Sequence, residues 1–143
     1  MASIARPDGI RGLDHVSLPL QAEDAMVSFY RALGCDVVEQ RSVVAVHAGD
    51  QMINFHRPNV WTRDGFTLRA PAARPPCGDL CFEWQGTPEA LAARLATIGA
   101  GIEEGPVERQ GGRRAPGSSV YVRDPDGNLL EFIIYGTESV DDS

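Results

Sequence analysis

LDHVSLPL, residues 13–20, alternates polar and apolar side chains and reads as a β-strand. The next segment, AEDAMVSFYRALG (22–34), carries Met26, Phe29, Tyr30 and Leu33 at helical spacing, and Gly34 supplies a C-terminal stop. Three short strands follow, CDVVEQ (35–40), VVAVHAG (43–49) and QMINFHRP (51–58), with a turn at Gly49–Asp50. The order then restarts. GDLCFEW (78–84) reads as a strand. TPEALAARLATIGA (87–100) reads as a helix with Thr87 as N-cap, Pro88 first and Glu89 in the first turn; Leu91, Leu95 and Ile98 form its buried stripe. GIEEGPVE (101–108), SSVYVRD (118–124) and NLLEFIIYG (128–136) close the set, and QGGRRAPGS (110–118) is a Gly- and Arg-rich hairpin loop.

The two halves correspond residue by residue. His15 falls on Asp79, an offset of 64 (79 − 15), and the helix-ending Gly34 falls on Gly99, an offset of 65 (99 − 34). An internal repeat fixes the architecture. It predicts an α+β fold of two βαβββ modules in one domain over 1–143. Module 1 spans about 12–57, a Pro-rich loop 58–77, module 2 about 78–136, and an acidic tail 137–143. Each sheet has one face under its helix and the other turned to a cavity. Trp61 and Phe66, inside the loop, need burial over a pocket or against a partner subunit.

Composition narrows the function. The net charge is −7 and all 13 cations are Arg, which argues against nucleic acid, where clustered cations are required. Cys35, Cys77 and Cys81 are too few and odd in number for a disulfide framework, and no second ligand pair makes a zinc knuckle. They read as buried or idle thiols in a reducing compartment. The stretch MASIARPDGIRG has no apolar core and no segment approaches a membrane span, so a cytoplasmic protein without membrane contact is expected.

The strand period of two selects the residues that meet on the uncovered faces. Glu131 shares a face with Leu129 and Ile133; Asn54 shares one with His56; His15 and Asp79 hold matching places in the two opening strands. Imidazole with carboxylate is a ligand set for a divalent transition ion, and three protein ligands leave positions open for water or substrate. The bland alternatives are an edge-strand histidine for His15, an exposed strand carboxylate for Glu131, and a turn residue after Gly78 for Asp79. Glu131 is flanked by Leu130, Phe132 and Ile133, where a buried carboxylate needs compensation. His47 reads as having no direct role. Arg113 and Arg114 either draw in an anionic substrate or are a solvated loop. The RDPDGN turn reads as structural.

Three segments carry a resemblance: LDHVSLPL (13–20), FYRALGCDVV (29–38) and YVRDPDGNLLEF (121–132). With them the chain resembles the vicinal oxygen chelate superfamily, which includes glyoxalase I, fosfomycin-resistance thiol transferases, bleomycin-resistance proteins and extradiol dioxygenases. INFHRP, GDLCFEW, GIEEGPVERQG and the loop ending ARPPCGD are most similar to glyoxalase domain-containing protein 5-like members.

The resemblance implies paired modules around one divalent metal ion (Zn, Ni, Mn or Fe). His15 and Glu131 match family ligands. Asp79 stands where many members have His or Glu, and His56 is a further ligand or a support for one. Ser119 and Tyr121 match substrate contacts of fosfomycin-type members, and Asn54 joins them in the cavity. The function implied is a metal-dependent lyase, thiol transferase or dioxygenase acting on a small substrate with vicinal oxygens. The ion would act as a Lewis acid, with Glu131 or a metal-bound hydroxide as the catalytic base. The alternative is a non-catalytic drug-binding dimer lined by Trp61, Phe66, Trp84 and Tyr121. Either way a homodimer is expected, with each cavity built from one chain or shared by two.

Overall fold

The computed structural model describes residues 7–136, so the acidic tail and the first six residues of the N-terminal segment lie outside it. The chain runs β1 (His15–Pro19), α1 (Glu23–Leu33), β2 (Asp36–Glu39), β3 (Val43–Ala48), β4 (Gln51–His56), α2 (Pro58–Trp61), β5 (Asp79–Glu83), α3 (Pro88–Thr97), β6 (Glu104–Gln110), β7 (Pro116–Arg123) and β8 (Leu129–Tyr135). Two four-stranded sheets result, ordered β1-β4-β3-β2 and β5-β8-β7-β6. In each, the opening strand pairs in parallel with the last, and the other pairs are antiparallel. The predicted repeat of two βαβββ modules is therefore the fold. No helix among the described residues is long and apolar enough to cross a membrane.

The alternation in the strands decides what is buried. Leu80, Phe82, Leu130 and Phe132 of the second sheet, with Phe55 and Val44 of the first, join α1 and α3 in one core. Tyr30, Phe55 and Leu130 are fully buried there, each worth about 1.5–3 kcal/mol by removal from water. The helices touch: Arg94 of α3 donates through Nη1 to the Leu33 carbonyl at 2.6 Å, filling an acceptor that the end of α1 leaves open. Thr87 caps α3 as expected, its Oγ1 accepting from the Ala90 amide at 3.0 Å.

Three local readings change. The loop after β4 opens with a helical turn, α2, because Arg57 is extended and Pro58 presets the first helical φ. The β6–β7 hairpin loop is shorter, since β6 runs on to Gln110 and β7 begins at Pro116. The loop aromatics are both placed within the chain. Trp61 donates through Nε1 to the Leu20 carbonyl at 2.8 Å, and the Phe66 ring meets His56 edge-on at 5.3 Å.

The DPDGN turn joins the modules. Asp124, 4% exposed, accepts through Oδ1 from the amides of Asp126, Gly127 and Asn128, and through Oδ2 from Tyr30 Oη (2.6 Å) and Asn128 Nδ2 (2.8 Å). Asp126 accepts from the Gln21 and Ala22 amides at 2.8 and 2.7 Å, capping α1 from the other module where Ala22 has no side chain to do so. Burial first, then the Asp124 charge, holds the Tyr30 hydroxyl far above its ordinary value.

The folded state therefore favours neutral Tyr30. That contribution is complete below the unfolded value near 10 and is lost as pH rises beyond it. Tyrosinate absorbance is expected to show one hydroxyl that ionises only as the protein unfolds in alkali. Ionisation of every described tyrosine in the folded state near pH 10 would contradict the placement of Tyr30.

Candidate functional site

Strand register sets the faces. On the first sheet His15 lies opposite Met52, Ser17 opposite Asn54 and Pro19 opposite His56. On the second, Asp79 lies opposite Leu129 and Cys81 opposite Glu131, while across β7 Tyr121 lies opposite Glu131. These residues occupy the faces opposite those that feed the core. His15 and Asp79 hold equivalent positions, as do Asn54 and Glu131.

Glu131 is the most organised member. Ser119, fully buried, donates to its Oε2 at 2.6 Å. A short, charge-assisted bond of this kind fixes the carboxylate's orientation. The hydroxyl read as a substrate contact is thus placed beneath Glu131, as its support. Tyr121 stands beside Glu131 and its hydroxyl accepts from Arg109 Nε at 3.0 Å. Asp79 is exposed, and the bend it might have capped is held instead by Asn128, whose Oδ1 accepts from the Gly78 amide at 2.8 Å. That leaves the Asp79 carboxylate available.

On the first sheet His15 is exposed and its Nδ1 meets the Asp14 carboxylate at 2.7 Å. Such a carboxylate orients an imidazole and leaves its other nitrogen for a ligand. His56 is half-buried under Phe66; burial, then the Arg69 charge, pushes its imidazole below the ordinary value, so it is neutral at pH 7. Asn54 lies between them on the same face.

Sequence reasoning missed Cys81. Expected as a buried or idle thiol, it is exposed and faces the same side as Glu131 and Asp79. Burial, then the Glu131 charge, pushes the thiol up to about 11, so it stays protonated at neutral pH. No spacing motif marks it; only its alternation with Asp79 in β5 does.

A cleft of about 960 Å³ runs along β1 and β5, lined among others by His15, Met52, Cys81, Glu83 and Arg113. It does not include Asp79 or Glu131. Among the described residues no three His, Cys, Asp or Glu side chains of one chain come together as a metal site. The donor chemistry fits a divalent ion, but within one chain the donors stand as two separate half-sets: His15 and His56 on one sheet, Asp79 and Glu131 on the other.

Paired βαβββ modules, each with a four-stranded mixed sheet, define the glyoxalase-like fold class. The family is shown by comparison: residues 12–132 match the model of the Glyoxalase/Bleomycin resistance protein/Dioxygenase superfamily, and the chain belongs to that superfamily. It is 35% identical over 127 residues to the glyoxalase domain-containing protein RDO1 of Mycosarcoma maydis, covering 88% of this chain and 69% of the relative. It is 34% identical over 127 residues to virulence protein STM3117 of Salmonella typhimurium, covering 86% and 83%. Among solved structures, the integron cassette protein VCH_CASS1 of V. cholerae matches with a TM-score of 0.78 at 32% identity, over 92% of this chain and all of that one.

Proposed function

We propose that the protein is a metal-dependent enzyme, acting as a homodimer on a small substrate with vicinal oxygens, and that each metal site is completed by a second copy. The observation that carries this reading is the division of the donors. His15 and His56 face outward on one sheet, Asp79 and Glu131 on the other, and the chain alone does not close them together. A two-fold axis that lays the first sheet of one copy against the second sheet of the other would make two identical sites. His15, Asp79 and Glu131 would hold the ion, with His56 as a further ligand or a support. When bound, the ion supplies Lewis acidity for polarising the substrate's oxygens. Ser119 holds Glu131 in place, and Glu131 is the best-placed base for moving a proton on the substrate. Asn54 and Tyr121 line the same faces as substrate contacts. Lyase, thiol-transfer and dioxygenase chemistry all fit these parts.

The drug-binding alternative is weaker here because the two tryptophans of its lining are committed elsewhere. Trp61 is bonded to Leu20, and Trp84 packs against the core under Arg94.

Protein purified without chelator or affinity tag is expected to be dimeric by light scattering and to carry about one Zn, Ni, Mn or Fe ion per chain. A monomer, or no ion bound at micromolar concentration, would overturn the proposal.

A further inference from the structure

We propose that Arg109 reads an oxyanion on the substrate, which makes the ligand of this site a small organic acid. The inference rests on the proposed site for its location, though its test does not depend on the metal.

Arg109 reaches this face through an irregularity in β6. Glu104 pairs with Tyr121, and strict alternation from Glu104 would bring Pro106 and Glu108 to the same side. The register shifts between Glu104 and Val107, so Val107 pairs with Ser119 and Arg109 with Gly117. A bulge of this kind re-aims the side chains beyond it. Gly105 makes it possible: its φ is +110°, and a Cβ there would overlap the Ser119 carbonyl oxygen. Arg109 therefore lies on the face of Ser119, Tyr121 and Glu131.

Once there, it is held but not used up. Its guanidinium lies 5.6 Å from the centre of the Tyr121 ring, Nε donates to the Tyr121 hydroxyl at 3.0 Å, and Nη1 donates to the Glu108 carbonyl at 3.0 Å. Among the described residues Nη2 meets only Glu104, at 3.6 Å. Tyr121 is in turn the direct neighbour of Glu131 across the strands. A planar fork stacked on an aromatic ring beside the candidate ligand, with its Nη2 donor loosely paired, is the geometry that takes a carboxylate or phosphate. The repeat offers no counterpart: β2, the matching edge strand of the first sheet, reads Asp-Val-Val-Glu and carries no Arg.

The test is calorimetric titration with glycolate, phosphoglycolate and the neutral glycolamide, on metal-loaded and on EDTA-stripped protein. Both anions are expected to bind at least about tenfold more tightly than glycolamide. Arg109→Gln should lose about tenfold for the anions and leave glycolamide unchanged, with thermal midpoint and metal content as in the parent; Arg109→Lys should recover part of the loss. Equal binding of glycolate and glycolamide, undiminished anion binding by Arg109→Gln, or no binding of either anion at about 10 mM would overturn the proposal. An Arg109-dependent preference in protein that takes up no metal would sink the metal reading alone. A bound metal without that preference would sink this inference alone.

Discussion

Asp124→Ala is expected to destabilise the protein by about 2–6 kcal/mol, from the buried donors it would leave unpaired. The carboxylate holds five donors: three amides of its own turn, the Asn128 side chain and the Tyr30 hydroxyl. Alanine would strand the last two in a region where Tyr30 is fully buried, at about 1–3 kcal/mol for each orphaned group. It would also loosen the turn that lets Asp126 cap α1 of the other module. Asp124→Asn keeps the shape and one acceptor oxygen, so it should cost clearly less. Urea denaturation at one fixed protein concentration reads both, since dimer dissociation would otherwise enter the midpoint. A loss below about 1 kcal/mol for the alanine variant would show that the turn is not the staple between modules.

Glu131→Gln is expected to abolish metal retention and turnover while leaving the fold intact. The substitution keeps the volume and the partner Ser119 but removes the charge a divalent ion requires. Ser119→Ala removes only the bond that orients Glu131 and should weaken metal affinity about 10–100-fold without eliminating it. Elemental analysis of the folded variants separates the two effects. A Glu131→Gln protein with unchanged metal content would remove Glu131 from the ligand set.

The face of each site residue was legible in the sequence because it depends on strand alternation, which the repeat doubles. The offset that matched His15 to Asp79 is reproduced in the register, where His15 sits opposite Met52 and Asp79 opposite Leu129. Asn54 and Glu131 likewise take equivalent positions, beside Ser17 and Cys81.

Other features depend on contacts that alternation does not encode. Arg109 faces Glu131 only because β6 slips by one residue at Gly105–Pro106, and Pro106 gave no sign of which way the strand would resume. Asp126 caps a helix 104 residues earlier in the chain, a pairing that local capping rules cannot see. The fosfomycin-type resemblance implies a substrate contact at Ser119; its full burial under Glu131 depends on how β7 and β8 pack. The division of the donors between two separate faces depends on how the two modules dock, and the repeat alone is compatible with either arrangement.

In the proposed arrangement one metal site needs two chains, and subunit exchange reads this. His15→Ala and Glu131→Ala homodimers, each expected to lack metal, are mixed under conditions where exchange is verified by mass labelling. Shared sites predict that the heterodimer regains one intact site, and so about one ion per two chains. Heterodimers that form and still carry no metal would contradict the account and place every ligand of a site within a single chain.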